Sequence, residues 1–312
     1  MRLSVLICTY NRPALIAKAL RGLLIDALDI PDEVVLVNGG GEAVDAAIKP
    51  FVNPSSPLRV IPTHNVSLGV SQNIGLPECH GDLVALTDDD AIVAPDWVQA
   101  IRMVMKEHPE AGAVGGPVIT LLPDVRVARL AHFTTFPEPA AGSYVRTVAG
   151  VNICYRREVI DEVGAIDEGL ISGEEVDYNW RVIRAGWRIW WDPRIRVFHH
   201  DRRDLKSYLS QQFDYGRGFW QTRTKHRGLP NPYPRTLAFG MDWLKAAYFV
   251  PGAILEPLRA LRSPIRWDDR LGFPFLLLLV GTAHRAGYLA QASRALAADA
   301  GRQHPDPTSR LA

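Results

Sequence analysis

The sequence predicts an α/β fold in which helices flank a mixed, mostly parallel sheet. The chain has 312 residues, of which 47% are hydrophobic, so it can bury a full core. Short apolar runs, typical of strands that are buried on both faces, alternate with segments of helical periodicity. Polar residues follow the first and fourth of these runs, and ligands bind at the carboxyl ends of strands in parallel sheets. These observations indicate βαβ units with a ligand site at one sheet edge.

The first half of the chain contains four predicted strands, at residues 3–8, 33–37, 58–61 and 83–87. Pro13 opens a helix after the first strand, because proline is favoured at the first helical position. The pattern of the second half predicts a strand at 147–155, helices that end at Gly164 and Gly186, strands at 187–191 and 195–198, and a helix over 205–213.

The composition excludes several classes of protein. The formal net charge of +1 argues against a general polyanion-binding protein. Three cysteines without a CxxC pair argue against a disulfide scaffold and against a thiolate zinc site. The N-terminal apolar run is too short for a signal peptide, so we expect a cytoplasmic protein.

An acidic triplet, Asp88-Asp89-Asp90, follows the fourth strand directly. Two carboxylates at positions i and i+2 can share one divalent cation, and Mg²⁺ or Mn²⁺ would keep positions free for phosphate oxygens. A solvated turn that caps the helix beginning near Pro95 would also explain the triplet. The pattern alone leaves both interpretations open.

A second acidic group, Glu174, Glu175 and Asp177, occupies the start of a predicted helix. Carboxylates at this position complement the helix dipole, which is the simpler explanation. Alternatively, one of them is a general base whose pKa is raised by its acidic neighbours. His199-His200 closes a later strand, and adjacent strand residues point to opposite faces, so at most one of them faces a given site.

The stretch 184–227 contains 11 Lys or Arg residues and four Asp residues, a net charge of +7. It could meet phosphates or form a solvated face. Its aromatic residues fall at helical spacing, which favours core packing over base stacking. Nucleic-acid binding is therefore the least favoured alternative, and we predict no nucleic-acid partner.

Taken in chain order, eight short motifs resemble those of the family 2 glycosyltransferases, which have the GT-A fold. The resemblance covers about residues 2–220. Each motif is loose alone, but eight in the same order and spacing are specific. They lie at residues 7–12, 65–73, 81–90, 150–152, 163–168, 173–177, 197–199 and 215–218.

The resemblance implies a nucleotide-sugar donor and a divalent cation, Mn²⁺ or Mg²⁺. Asp88 and Asp90 match the D-x-D motif, which meets the metal that bridges the donor diphosphate, and His199 matches a late histidine that is a further metal or diphosphate ligand. The donor would be contacted by Thr9, Tyr10, Asn11, Arg12, Asn38, Asn73, Asp88 and Asp89.

The resemblance also implies the chemistry of transfer. Glu175 occupies the place of the family's catalytic base, with Glu174 and Asp177 as alternatives. An acceptor hydroxyl would lose its proton to this base while attacking the anomeric carbon, with inversion of configuration. A saccharide, a lipid-linked sugar or a small molecule would be the acceptor, in polysaccharide, glycolipid or secondary-metabolite glycosylation. The acceptor would contact Gly150, Asn152 and Trp190.

Two positions depart from the family pattern. Asn38 stands where the family usually has an aspartate that contacts the base, and Gln72 replaces an arginine near the donor. An amide both donates and accepts hydrogen bonds, so it loosens any prediction of uracil. The donor stays open among UDP, GDP and dTDP sugars, and a catalytically weak nucleotide-sugar-binding relative is the alternative function.

The predicted catalytic domain covers residues 1–225, with a nucleotide-sugar half at 1–122 and an acceptor half at 123–225. A helical, partly apolar C-terminal extension covers 226–300, and a disordered tail follows at 301–312.

Two apolar segments of the extension, 246–258 and 271–283, are shorter than the about 20 residues that span a bilayer. Apolar segments beside basic residues suit contact with a membrane surface. Two interpretations of residues 246–283 stay open. They could contact the inner face of the cell membrane, which would give the protein a peripheral position there, or they could pack against the protein itself.

Overall fold

The computed structural model describes residues 1–136, 138–139, 141–226 and 265–303. Its strands are β1 (Leu3–Thr9), β2 (Glu33–Asn38), β3 (Leu58–Pro62), β4 (Leu83–Asp88), β5 (Ala91–Val93), β6 (Ala111–Gly115), β7 (Val118–Thr120), β8 (Ser143–Val145), β9 (Ile153–Arg156), β10 (Arg188–Trp191) and β11 (Val197–His199). Its helices are α1 (Pro13–Leu24), α2 (Gly41–Ile48), α3 (Leu68–Gly75), α4 (Trp97–Glu107), α5 (Arg126–Thr135), α6 (Arg157–Val163), α7 (Glu174–Arg184), α8 (Leu205–Lys225) and α9 (Trp267–Gln303).

Eight strands form one sheet in the order β3-β2-β1-β4-β9-β6-β10-β8. The pairs β1–β2, β2–β3, β1–β4 and β6–β10 are parallel, whereas β9 is antiparallel to β4 and β6, and β8 is antiparallel to β10. A small second sheet has the order β5-β11-β7. The predicted mixed, mostly parallel sheet with flanking helices is therefore confirmed.

The central strands of the large sheet are buried on both faces, as their continuous apolar sequences require. Val5 and Ile7 of β1 belong to an apolar cluster that includes residues of α1, α2 and α4. Leu6, between them, belongs to a second cluster that includes residues of α6 and α7. Full burial of one such side chain contributes about 1.5–3 kcal/mol. This packing holds the strand ends in a fixed register.

The predicted strand at 147–155 is only partly correct. Gly150–Asn152 forms a 3₁₀ turn, and β9 begins after it at Ile153. The turn directs the Asn152 side chain into the protein, where its Oδ1 accepts a hydrogen bond from Trp97 Nε1 at 2.9 Å. Its Nδ2 donates to the carbonyl oxygens of Pro117 and Ile195 at 3.1 and 2.8 Å. These bonds connect the turn to the first residue of α4 and to the segments that follow β6 and β10.

The chain divides into two compact units. The first comprises Met1–Gly169 and Glu174–Asp201 and contains both sheets. The second comprises Leu170–Gly173 and the chain from Arg202 onward, so α8 and α9 belong to it. The division at residues 201 and 202 precedes α8, whereas the sequence prediction placed the end of the catalytic domain after this helix.

Within the second unit, α8 and α9 cross at glycines. A Cβ on Gly216 would lie 1.8 Å from the carbonyl oxygen of His284, and a Cβ on Gly287 would lie 1.8 Å from that of Phe213. Both distances are far below van der Waals contact, so any side chain at these positions would separate the helices. Gly216, which belongs to the 215–218 motif, therefore has a packing role.

The length of α9 corrects one expectation about the C-terminal region. Residues 271–283 lie inside one helix of 37 residues, although Pro274 is within it. Its part Trp267–Ala298 is long and apolar enough to cross a membrane, a criterion that core helices of soluble proteins also meet. The expectation of a segment too short to span a bilayer therefore does not hold for the whole helix. The helix continues to Gln303, so the first three residues of the predicted disordered tail at 301–312 are helical. The segment 246–258 and residues 304–312 lie outside the described residues.

Candidate active site

The carboxyl ends of β1, β2 and β4 bring three of the predicted donor residues together. β1 lies between β2 and β4, and its register pairs Thr9 with Asn38 and Cys8 with Asp88. Residues that are far apart in the sequence therefore meet at the sheet edge where parallel α/β proteins bind ligands.

Asp89 joins two loops at this edge. Its Oδ2 accepts a hydrogen bond from Thr9 Oγ1 and its Oδ1 accepts one from Arg12 Nη1, both at 2.8 Å. The same Arg12 nitrogen donates to Asp90 Oδ2 at 2.7 Å. Asn11 has a positive φ of 52° where the chain turns from β1 towards α1. Asp89 is only 4% exposed, and its hydrogen bonds position Thr9, Arg12 and, through Arg12, Asp90, while its contact with the donor stays a prediction.

Asp88 and Asp90 interact electrostatically. Burial and the negative charge of Asp90 raise the pKa of Asp88, although His199 and Arg12 act to lower it. Among the residues that the structure describes, no three His, Cys, Asp or Glu side chains are arranged to hold a metal ion. The two carboxylates nevertheless fit Mn²⁺ or Mg²⁺, because these ions prefer oxygen ligands and can take diphosphate oxygens in the remaining positions.

His199, rather than His200, faces the acidic triplet. Its Nε2 lies 3.4 Å from Asp90 Oδ1, and its Nδ1 lies 3.0 Å from Asp201 Oδ1. Burial alone would lower the pKa of His199, but the hydrogen bonds to Asp201 and Asp90 raise it to about 10. His200 contributes its backbone N–H, which donates to the Asp90 carbonyl oxygen at 2.9 Å. Asp201 was not predicted, although an acidic residue two positions after a strand histidine shares its face.

Glu175 lies in the first turn of α7 with its side chain half-buried. Burial and the adjacent charge of Glu174 raise its pKa to about 7. A Cβ on Gly150 would lie 3.4 Å from the Glu175 Cβ, so the absence of a side chain at residue 150 leaves room beside the base candidate. Of the three predicted acceptor residues, Gly150 is the one that contacts this turn.

Asp177 has a different environment from Glu175. Its carboxylate is wholly buried and accepts a hydrogen bond from Arg181 Nε at 2.9 Å. Arg181 also donates to the carbonyl oxygens of Val163 and Ala165, both at 2.9 Å. Asp177 therefore anchors α7 to the end of α6, and this pairing argues against it as the base.

The other two predicted acceptor residues lie elsewhere. Asn152 is wholly buried and its amide is hydrogen-bonded at both ends. Trp190 stacks on His108 with the ring centroids 3.9 Å apart. Strands β9 and β6 lie between β4, which ends at Asp88, and β10, which carries Trp190, so at a strand spacing of about 4.8 Å the two strands are about 14 Å apart. The placement of these two residues argues against acceptor contact.

Asn73 ties α3 to a distant loop. Its Nδ2 donates to Ile166 O at 2.9 Å and to Glu168 Oε1 at 2.8 Å, and its Oδ1 accepts from Ile166 N at 2.9 Å. Its amide is thus engaged on both sides within the protein, which argues against the predicted donor contact.

Asn38 is almost wholly buried, and its amide is held from both sides. Its Oδ1 accepts from Gly40 N at 2.8 Å, and its Nδ2 donates to Asp45 Oδ1 at 2.7 Å. Tyr10 lies beside this turn, since a Cβ on Gly39 would be 3.5 Å from Tyr10 Cδ2, and its side chain is 45% exposed. Asp45 was not predicted, because nothing in its local pattern distinguishes it from other exposed helical carboxylates.

Known proteins show similarity over most of the chain. Residues 1–217 match the family model described as "Glycosyltransferase like family 2". Over 250 residues the chain is 29% identical to a glucosyl-dolichyl phosphate glucuronosyltransferase of Haloferax volcanii, which covers 72% of this chain and 76% of that protein. Over 191 residues it is 28% identical to a pre-mycofactocin glycosyltransferase of Mycobacterium tuberculosis, covering 58% of this chain but only 40% of that protein.

The fold is similar to that of a mannosyltransferase from Pyrobaculum calidifontis in complex with GDP-Man and Mn²⁺. The TM-score is 0.63 at 16% identity, and the likeness covers 92% of this chain and 87% of the other. At this identity the likeness concerns the fold alone. The family match over residues 1–217, together with the GT-A fold, shows that the chain belongs to the family 2 glycosyltransferases and is a glycosyltransferase.

Proposed function

We propose that the chain transfers a sugar from a nucleotide-diphosphate sugar to an acceptor hydroxyl with inversion, and that Glu175 is the general base. The observation that carries this proposal is the environment of Glu175, a half-buried carboxyl group whose pKa is raised to about 7. A base with a pKa near the working pH is ionised in a large fraction of molecules and still binds a proton well.

The proton and the electron pairs balance in a single displacement. The acceptor hydroxyl gives its proton to the Glu175 carboxylate while its oxygen forms a bond to the anomeric carbon. The bond from that carbon to the donor diphosphate breaks on the opposite face, and the diphosphate leaves with the bonding pair. Attack and departure on opposite faces invert the configuration. The adjacent Glu174 charge helps Glu175 to take up the proton.

Asp88 and Asp90 would hold a divalent cation at the donor diphosphate. When bound, such an ion neutralises the negative charge that develops on the leaving diphosphate. Arg12 supports this role because its hydrogen bond orients Asp90. His199, whose Nε2 lies 3.4 Å from Asp90 Oδ1, has a raised pKa and is positively charged, so it suits a contact with the donor diphosphate rather than with the metal. The GDP-Man and Mn²⁺ in the similar mannosyltransferase favour a nucleotide-sugar donor and a divalent metal. UDP and dTDP sugars stay alternatives to GDP sugars.

For the acceptor we favour a lipid-linked saccharide over other saccharides and small molecules. The name of the Haloferax relative describes a lipid-linked sugar phosphate. In addition, α9 exposes Trp267, Leu271, Phe275 and Leu278, which follow one another at intervals of four, four and three residues on one helix face. A face of this kind suits a peripheral contact with a membrane surface.

Donor turnover by the Glu175→Gln variant tests the assignment of the base. We expect a loss of about 10²–10⁴-fold, the usual contribution of general-base catalysis, while the affinity for the donor nucleotide is retained. Glu158→Gln is the matched control, because Glu158 is exposed on α6 and the substitution changes the charge by the same amount. Equal turnover by the two variants would contradict the assignment.

A catalytically weak nucleotide-sugar-binding protein is the second candidate. It is favoured by Gln72, whose buried Oε1 has no hydrogen-bond partner within the described part of the chain. Glutamine also cannot supply the positive charge of the arginine that the family usually has there. This candidate predicts that the wild-type protein binds nucleotide-sugars but turns none of them over, even with Mn²⁺ present.

A further inference from the structure

We infer that Gln221 and Gly218 of α8 are positioning residues for the general base, because they hold the segment Leu170–Gly173 that leads into the first turn of α7. This role rests on the proposed function of Glu175 as the base. Neither residue touches the substrate, and each acts through the backbone of the segment.

The segment Leu170–Gly173 packs with α8 although the chain continues from it directly into α7. It belongs to the second compact unit, whereas α7 from Glu174 onward belongs to the first. Only Gly173 and Glu174 separate Ser172 from Glu175. The position of the segment therefore determines where the chain enters the helix that carries the proposed base.

Two hydrogen bonds join this segment to α8. The backbone N–H of Ile171 donates to Gln221 Oε1 at 2.9 Å, and Ser172 Oγ donates to the carbonyl oxygen of Asp214 at 3.0 Å. The first bond uses a side chain of α8, so a substitution at residue 221 removes it and leaves the backbone of the helix unchanged.

Gly218 allows α8 to approach the segment closely. A Cβ on Gly218 would lie 2.2 Å from both the carbonyl oxygen and the Oγ of Ser172, so any side chain there would displace one of the two. Asp214, Gly218 and Gln221 follow one another at intervals of four and three residues and share a helix face. Gly216, two positions before Gly218, faces elsewhere and packs against α9.

Gly173 completes the connection to α7. Its φ of 83° lies in the left-handed region that favours glycine, and a Cβ there would lie 3.6 Å from Thr222 Oγ1. Thr222 is only 1% exposed, and its hydroxyl donates to the Gly218 carbonyl oxygen at 3.0 Å. The segment thus has little freedom to shift along α8. This restraint matters for catalysis, because a misplacement of about 1 Å can cost about 10²-fold in rate.

Donor turnover by Gln221→Leu tests the inference at saturating Mn²⁺. Leucine is similar in size to glutamine but offers no acceptor to the Ile171 N–H. We expect kcat to fall about tenfold, while the calorimetric affinity for the donor nucleotide stays within about twofold of wild type, because the base is displaced and the donor edge is not. Gly218→Ala should give the same pattern.

Gln211→Leu is the matched control. Gln211 also lies on α8, but its amide donates to the hydroxyl of Tyr215 on the same helix rather than to the segment before α7. This variant should keep both the kcat and the nucleotide affinity of the wild-type protein.

A double variant separates positioning from a loss of folded protein. If Gln221 acts through Glu175, Gln221→Leu causes no further loss of kcat in the Glu175→Gln background. A merely structural effect would lower the active fraction, so the two losses would multiply, and the calorimetric stoichiometry of nucleotide binding would fall with them.

Unchanged kcat in Gln221→Leu, or losses that multiply in the double variant, would overturn the inference. A weaker nucleotide affinity with unchanged kcat would overturn it as well, since α8 would then act on the donor site. Normal turnover by Glu175→Gln alone would instead contradict the proposed base, so failure of that proposal is distinct from failure of this one.

Discussion

The partner of each carboxylate determines what that carboxylate can do. Asp89 and Asp177 are buried against Arg12 and Arg181, so they hold neighbouring backbone in place. Glu175 has the like charge of Glu174 beside it, and its pKa is raised. The sequence shows all of these residues as members of two acidic groups. Their separation into structural and reactive carboxylates depends on arginines that the fold brings to them, which no local pattern reveals.

The raised pKa of Glu175 predicts the pH dependence of turnover. A carboxyl group with a pKa of about 7 is protonated below that pH and cannot act as a base. At saturating Mn²⁺ we expect kcat to fall about tenfold per pH unit below pH 7 and to level off above it. Glu174→Gln should move this transition to lower pH, because it removes the like charge. A transition that stays in place in Glu174→Gln would count against Glu175 as the titrating group.

The hydrogen bonds of Asp89 predict a measurable contribution to stability. Asp89→Asn leaves the partly buried Arg12 with a weaker partner, so we expect the free energy of unfolding to fall by about 1–3 kcal/mol. Urea denaturation measures this change. Asp26→Asn is the comparison, since the Asp26–Arg21 pair is exposed on both sides and such pairs contribute about 0–1 kcal/mol. Equal losses of unfolding free energy in the two variants would show that the hydrogen bonds of Asp89 do not stabilise this edge of the sheet.

At the scale of secondary structure, continuous apolar runs predict β1 to β4; β1, β2 and β4 are buried on both faces, whereas β3 is a partly buried edge strand. Strands β5, β6, β7 and β8 are not predicted from the sequence. β5, β7 and β8 have three residues each, too few to show a period, and β6 consists largely of alanine and glycine, which give no strand pattern. The sequence predicts a strand through Gly150–Asn152 because its apolar neighbours continue the run, whereas the structure has a 3₁₀ turn there. The resemblance predicts ligand contacts for Asn73 and Asn152, whereas both amides are engaged by hydrogen bonds within the protein, because a motif match does not distinguish a ligand contact from a contact between two parts of the fold.

Because α8 and α9 cross at glycines, we predict that a larger side chain at the crossing lowers the free energy of unfolding. Gly216→Ala places a methyl group against the His284 backbone, which has to move, and overpacking of this kind costs about 1–3 kcal/mol. Ala286→Ser on the exposed face of α9 is the control and should cost about 0.5 kcal/mol. Chemical denaturation of both variants measures the difference. A Gly216→Ala protein as stable as the control would mean that the helices do not pack as closely as described.

At the scale of the whole molecule, the family match and the compact units end at different places. The match extends to residue 217, within α8, whereas the unit that contains both sheets ends at Asp201. The predicted site residues all lie in this first unit. The C-terminal region is where the sequence was least informative, because its short apolar segments did not reveal the continuous helix α9.

The exposed apolar face of α9 predicts binding to anionic lipid vesicles. We expect the protein to sediment with vesicles that contain an anionic phospholipid and to lose most of this binding in the double variant Leu271→Asp, Phe275→Asp. Neutral phosphatidylcholine vesicles are one control. Donor turnover in solution is the other, and the double substitution should leave it unchanged. Vesicle binding that survives the double substitution would show that this face is not the membrane contact.

The dependence of donor turnover on metal tests the central proposal most directly. Release of the nucleoside diphosphate from its sugar would be followed with Mn²⁺ and with a chelator, for the wild-type protein and for Asp90→Asn. We predict release by the wild-type protein with Mn²⁺, no release with the chelator, and a loss of about 10²-fold or more in Asp90→Asn. Equal rates with metal, with chelator and in Asp90→Asn would contradict a metal-assisted transfer at this site.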